Sequence, residues 1–227
     1  MIEVRPFASL GQFQNDWLHA RHHFSFSNYH DPARMGAGSL RVWNDDEIAP
    51  GSGFDPHPHR DMEIVTYVRQ GAITHRDNLG NQGRTEAGDV QVMSAGTGIV
   101  HAEYNQEPTP TRLFQIWLTP NQQGAAPSWG TRPMPGSNAG LAVLASGDGE
   151  GLPLRADATV LAGRLTPGQT IEYRPKAGRT VYLVPATGSI SVNGVPAAER
   201  DGVLIEGEAR VEIEAKTAAE LVIVEVA

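Results

Sequence analysis

His57-Pro58-His59 and His101-Ala102-Glu103 set metal-capable side chains at i and i+2. On a β-strand those two positions share a face and lie roughly 6.6 Å apart along the chain. Imidazole nitrogen and carboxylate oxygen bind first-row ions at about 2.0–2.2 Å, so each pair can converge on one ion. Two such pairs on facing strands make a mononuclear site of three histidines and one glutamate, with coordination positions left open. An open, redox-capable ion suits an enzyme better than a scaffold. The chain has no cysteine, which excludes disulfides and thiolate sites. The remaining donor set accepts Fe, Ni, Mn, Co, Cu or Zn without choosing among them. Glu63 competes with Glu103, because it has the same strand parity as His57 and His59. A bulge after His59 would turn it away.

These ligands need strands to carry them, and the chain offers strands. Its 16 prolines and 25 glycines punctuate short apolar runs, as in a turn-rich β protein. Residues 40–44 read as a strand ended by the polar Asn44-Asp45-Asp46. Residues 62–68, 72–76, 89–93 and 113–118 read as further strands. Helix is minor, with residues 10–19 the better candidate. Residues 121–140 are rich in proline and glycine and read as a loop or linker, after which strand-like runs resume at 159–165, 180–184, 189–192 and 221–226.

The halves resemble each other. Val65-Thr66-Tyr67-Val68 before Gly71 matches Thr180-Val181-Tyr182-Leu183 before Gly188. Aligning Tyr67 with Tyr182 sets an offset of 115 and puts Glu172 and Arg174 opposite His57 and His59. All eight histidines fall at or before His101. The expected architecture is therefore all-β: two β-barrels with little helix, of which the first alone can hold the metal. Residues 1–125 form the metal-binding barrel, 126–140 the linker, and 141–227 a degenerate barrel without ligands.

A family resemblance now becomes specific. The stretch from Gly51-Ser52-Gly53 through His57-Pro58-His59 to Glu63 fits the first cupin motif, and Gly98-Ile99-Val100-His101 with Asn105 fits the second. Gly96 stands where many cupins have proline. Residues 23–32, 40–46, 57–68, 88–105 and 115–117 resemble a bacterial pirin. The likeness is strong through residues 20–120 and rests on strand pattern beyond them. It implies a bicupin, two antiparallel β-sandwich, jelly-roll-like barrels, with one divalent metal in the first, iron before nickel, copper, cobalt, manganese or zinc. Carried over by position, the ligands are His57, His59, His101 and Glu103, which favours Glu103 over Glu63. The resemblance also implies quercetin 2,3-dioxygenase activity on a flavonol and O2, with Glu103 as ligand and general base in turn. The alternative it implies is a metal-bound interaction or regulatory module with a protein partner and no turnover.

Other residues carry blander expectations. Phe24, Phe26, Met93, Phe114 and Trp117 are pocket candidates, though ordinary core positions suit each of them. His22, His23 and His30 lack an i, i+2 partner and are expected to pack or hydrogen-bond near the barrel mouth. His75 is expected to face solvent. A net charge of −8 argues against nonspecific nucleic-acid binding. No apolar run reaches the roughly 20 residues that span a bilayer, and no signal pattern opens the chain, so a cytoplasmic protein is expected.

Overall fold

The computed structural model describes residues 1–134 and 140–227. The chain opens with β1 (Ile2–Arg5) and a single 3-10 turn at Phe7–Ser9. There follow β2 (Gly11–Gln14), β3 (Leu18–His22), β4 (Leu40–Ile48), β5 (Gly53–His59), β6 (Glu63–Gln70) and β7 (Ala72–Asp77). Then come β8 (Gln82–Glu86), β9 (Asp89–Ser94), β10 (Ile99–Tyr104), β11 (Thr111–Leu118) and β12 (Ser128–Pro133). The second half runs through β13 (Leu141–Ser146), β14 (Leu152–Pro153), β15 (Ala158–Leu165), β16 (Thr170–Tyr173) and β17 (Thr180–Thr187). It ends with β18 (Ile190–Val192), β19 (Val195–Ala197), β20 (Gly202–Glu206), β21 (Val211–Ala215) and β22 (Ala219–Val226).

Each barrel is a seven-stranded sheet over a four-stranded one. The first has the orders β12-β9-β6-β11-β4-β3-β2 and β5-β10-β7-β8. The second has β1-β20-β17-β22-β15-β13-β14 and β16-β21-β18-β19. Strands β4–β11 of the first correspond in order to β15–β22 of the second, and the edges differ: β2 pairs antiparallel with β3, where β14 pairs parallel with β13. β1 closes the edge of the second barrel against β20, while β12 closes the edge of the first against β9. β12 lies inside the stretch expected as linker, and residues 135–139 of that stretch lie outside the described residues.

The outer faces of the two long sheets pack together into the largest core. Trp43, Val65, Tyr67 and Phe114 meet Tyr182, Val184, Val222 and Val224, all buried. Fully burying each such side chain stabilises by about 1.5–3 kcal/mol. Polar pairs fix the register of this contact. The Tyr67 hydroxyl donates to Glu220 Oε1 at 2.8 Å, and the buried Asp45 carboxylate accepts from Arg69 and from Arg200 of the second barrel.

Two local expectations change. Residues 10–19 form no helix: β2 and β3 make a hairpin, and Asn15 Oδ1 accepts the N–H groups of Trp17 and Leu18 in the turn. β4 does not stop at Asn44 but runs on to Ile48, with Asn44, Asp45 and Asp46 all buried. Among the described residues, no helix is long and apolar enough to cross a membrane.

Candidate metal centre

The histidines sit where β5 pairs with β10, His57 directly opposite His101. β5 is the edge strand of its sheet, which is why Pro56 and Pro58 cost no ladder bond on its open side. Between His101 and Glu103 the register slips, so Asp55 and Pro56 together face Ala102. This bulge turns His57 and His59 inward on a strand that also approaches β10 closely. A Cβ at Gly53 would lie 2.1 Å from the Glu103 carbonyl oxygen. Gly96 has φ +47, which proline cannot adopt, so the departure from the usual cupin proline is a conformational requirement.

His57, His59 and His101 bring one nitrogen each to within 4.8 Å of one another. Their tautomers follow from their partners. His57 Nδ1 lies 2.7 Å from the Asp55 carbonyl oxygen, which can only accept, so the lone pair is on Nε2. Burial opposes ionisation of Asp77, but hydrogen bonds from His75, Asn81 and Leu79 outweigh it and hold the carboxyl below its usual range. Asp77 Oδ2 therefore accepts from His75 Nε2 at 3.0 Å, which leaves the lone pair of His75 on Nδ1. That lone pair faces His101 Nδ1 at 3.3 Å, so His101 Nδ1 carries the proton and Nε2 does not.

The consequence is that the bare Nε2 atoms of His57 and His101 face each other at 3.1 Å. Two lone pairs repel at that distance, and a shared cation removes the repulsion. Donors about 2.1 Å from one ion sit roughly 3.0–3.4 Å apart at ordinary coordination angles, so the spacing fits. Burial, with His57 beside it, lowers the His59 pKa to about 4. Burial and the neighbouring imidazoles push His101 down further still. Neutral rings are the form that binds metal.

Glu103 is placed differently. It groups with His75 and His101 within the same 4.8 Å limit, and the four groups His57, His59, His101 and Glu103 do not all close to that distance. Its carboxylate is held across the barrel by the amides of Gln91 and Gln115, the latter at 2.8 Å. Burial raises its pKa to about 7, and the hydrogen bonds from Gln91, Thr66 and Gln115 limit the rise. Glu63, its rival, turns away: Asp61 takes a positive φ just before β6. The Glu63 Oε2 atom accepts from Ser94 at 2.6 Å and from the Arg155 backbone at 3.0 Å.

Beside the histidines lies a cavity of about 260 Å³. Leu18, Phe26, Phe54 and Trp117 supply apolar wall, and His22, Asn44, Asp46 and Gln115 supply polar groups. Of the pocket candidates, Phe26 and Trp117 line it. Phe24 and Phe114 belong to the core between the barrels, and Met93 packs with Ile64, Ala95 and Ile99. His22 Nδ1 lies 2.8 Å from Asn44 Oδ1, and His23 Nδ1 lies 3.0 Å from the Tyr182 hydroxyl; both rings are buried, whereas His30 is exposed. His75 is fully buried, not solvent-facing, because it alternates inward with Ile73 and Asp77 on β7.

Gln91, Gln115, Asn44, Asp46, His75 and Asp77 were not among the expected site residues. For the two glutamines a signal exists. Each occupies an inward position of a clean period-two strand, between Val90 and Val92 or Phe114 and Ile116, which face the other barrel.

The chain is similar to known proteins along nearly its whole length. The Pirin family profile matches residues 3–118, and the profile for a quercetinase C-terminal cupin domain matches residues 143–226. A pirin-like protein of Caulobacter vibrioides is 58% identical, covering 100% of both chains. The quercetin 2,3-dioxygenase of Escherichia coli K12 is 38% identical over 98% of this chain and 97% of its own. The crystal structure of the bacterial pirin YhhW in complex with nickel(II), from Escherichia coli, superposes with a TM-score of 0.95 at 37% identity, covering 100% of this chain and 99% of that one. With two barrels matched along their length and a histidine cluster in the first, this chain belongs to the pirin family.

Proposed function

We propose that the protein is a metal-dependent dioxygenase that opens a flavonol such as quercetin with O2 and releases carbon monoxide. The observation that carries this reading is the pair of facing imidazole lone pairs beside an apolar, aromatic-walled cavity. The names and the nickel complex among the relatives support it. His57, His59 and His101 would hold the ion, with Glu103 as the fourth ligand once its carboxylate turns from Gln91 and Gln115. Iron is our expected ion, with nickel the first alternative. When bound, the ion supplies a Lewis-acidic, redox-capable centre that acidifies an attached hydroxyl and accommodates dioxygen.

The chain's own groups do the rest. Phe26, Phe54 and Trp117 give flat, apolar surfaces against which an aromatic ring system packs. Glu103, as it leaves the ion, would take the flavonol 3-hydroxyl proton and return it to product. The carbon bearing that hydroxyl leaves as carbon monoxide, and both atoms of O2 remain in the depside ester, so the reaction balances.

The test compares metal-loaded protein, metal-free protein and His101→Ala in air-saturated quercetin. Wild type should bleach the flavonol and evolve carbon monoxide. The other two should show autoxidation alone, a loss larger than the roughly 10–100-fold typical of groups outside the ligand set. Equal rates in all three would sink the reading.

A further inference from the structure

The cavity beside the histidines is lined by a buried carboxyl that the fold leaves without a hydrogen-bond partner. Most of its polar neighbours are satisfied: His22 bonds to Asn44, His57 to the Asp55 carbonyl, and Gln115 to both Glu103 and Trp117. Asp46 is 2% exposed, lines the same cavity, and has a carboxyl oxygen, Oδ1, with no hydrogen-bonding partner. On β4 it faces Ala20 of β3 and Leu113 of β11, so its strand neighbours are apolar. Buried polar groups are nearly always hydrogen-bonded, and a carboxyl that lines a cavity with no hydrogen bond of its own calls for a partner that arrives from outside. Leucine at this position would suit its neighbours better.

We propose that Asp46 is the recognition group for a second hydroxyl of the substrate, remote from the oxygen presented to the histidines. This rests on the flavonol reading above and narrows it: the substrate class is a polyhydroxylated flavonol, not one whose only hydroxyl is the metal-binding one. A carboxyl oxygen accepts from a hydroxyl whichever way the group is protonated, which suits a hydroxyl partner. A site built to hydrogen-bond a hydroxyl discriminates against the analogue lacking it, because its own polar group is then left unpaired.

The experiment measures binding without turnover, in metal-loaded protein under O2-free conditions. Quercetin and 3-hydroxyflavone, which lacks the additional hydroxyls, are titrated into wild type, D46L and D46N. Wild type should bind quercetin about tenfold tighter than 3-hydroxyflavone, the effect of one net hydrogen bond. D46L should bind the two alike, at the 3-hydroxyflavone level, and D46N should retain most of the preference. Ligand-free D46L should also melt at a higher temperature than wild type, which a structural role for the carboxyl would not allow. The assignment falls if D46L keeps the preference, if it loses affinity for both flavonols in parallel, or if it fails to fold. Wild type that binds neither flavonol overturns the dioxygenase reading itself, a result distinct from any of these.

Discussion

The two barrels share one strand order and differ in what fills them. Across the inner face of the first long sheet, strand pairing sets His22, Asn44, Gln115, Thr66, Gln91 and Thr131 side by side in one rung. The same rung of the second barrel reads Val143, Leu161, Ile223, Leu183, Val203 and Val4. On the facing sheets, His57 opposes His101 and His75 opposes Glu103 in the first barrel. In the second, Tyr173 opposes Val211 and Val192 opposes Ile213. One scaffold thus holds either a hydrogen-bonded polar network around a metal-capable cluster or a plain hydrocarbon core. The polar barrel places amides across from a carboxylate that apolar walls would leave uncompensated. The hydrocarbon barrel keeps its polar contacts off this rung, as where the Tyr173 hydroxyl donates to Glu225.

This correspondence also corrects the repeat alignment. Both long sheets carry a bulge just before the turn glycine, at Arg69 before Gly71 and at Ala186 before Gly188. Aligning those features moves Thr66 opposite Leu183, and the pairing of the short sheets puts Tyr173, opposite Val211, in the place of His57, opposite His101. Glu172, the counterpart expected from the Tyr67–Tyr182 match, is instead on the outer side, paired with the exposed Arg174 and Arg210.

The comparison can be broken at its strongest point. Ile213→Glu copies Glu103 into a barrel that has no amides to receive it. An uncompensated buried carboxylate should cost about 3–5 kcal/mol, read as a lowered denaturant midpoint. Glu103→Ile should cost far less in the same measurement. Equal losses would mean the two interiors are not distinguished by their polar rungs.

A smaller effect tests the network behind the cluster. In Asp77→Asn the side-chain amide can donate to His75 Nε2, which moves the His75 proton to Nδ1 and forces the His101 proton onto Nε2. Metal affinity, measured by competition with a chromophoric chelator, should fall about 10–100-fold while the melting temperature stays close to wild type. Unchanged affinity would show that the His101 tautomer is set by something else.

The smallest effect concerns Glu63 at the seam between barrels. Burial raises its pKa, against hydrogen bonds from Ser94 and the Arg155 backbone. The folded state thus holds its proton more tightly than the unfolded chain. Its contribution to stability is complete below the ordinary glutamate pKa of 4.5 and is lost as pH rises through the folded value. Metal-free Glu63→Gln should lack that decline when melting temperatures are compared pH by pH. A variant that tracks wild type across the range would rule the carboxyl out as its source.

The histidine cluster was legible because its spacing and strand alternation are local. His57 and His59 share a face as their i, i+2 spacing requires, and His101 meets them through the cross-strand register, while its own i+2 partner Glu103 groups with His75. The positions that escaped notice depend on distant partners. Asn44-Asp45-Asp46 resembles a strand end, since polar runs usually meet solvent there. It stays inside a sheet because Asn44 and Asp46 face the cavity while Asp45 meets Arg69 and Arg200, the last contributed from the other barrel. His75 looked exposed beside Arg76, yet its Asp77 and His101 contacts lie inside. The residues 10–19 pattern suited an amphipathic helix equally well, and the Asn15 turn, with β4 as a template for β3, decided for strands.

β1 lies at the start of the chain yet closes the second barrel against β20, whereas β12, which closes the first barrel against β9, precedes β13 in the same half. Cutting the chain between β12 and β13 would therefore leave the first barrel its closing strand and strip the second of β1. That second fragment would present β20 as a raw row of unpaired amides and carbonyls, an invitation to stick to its own kind. The apolar twin is thus tied to the metal-capable half by construction.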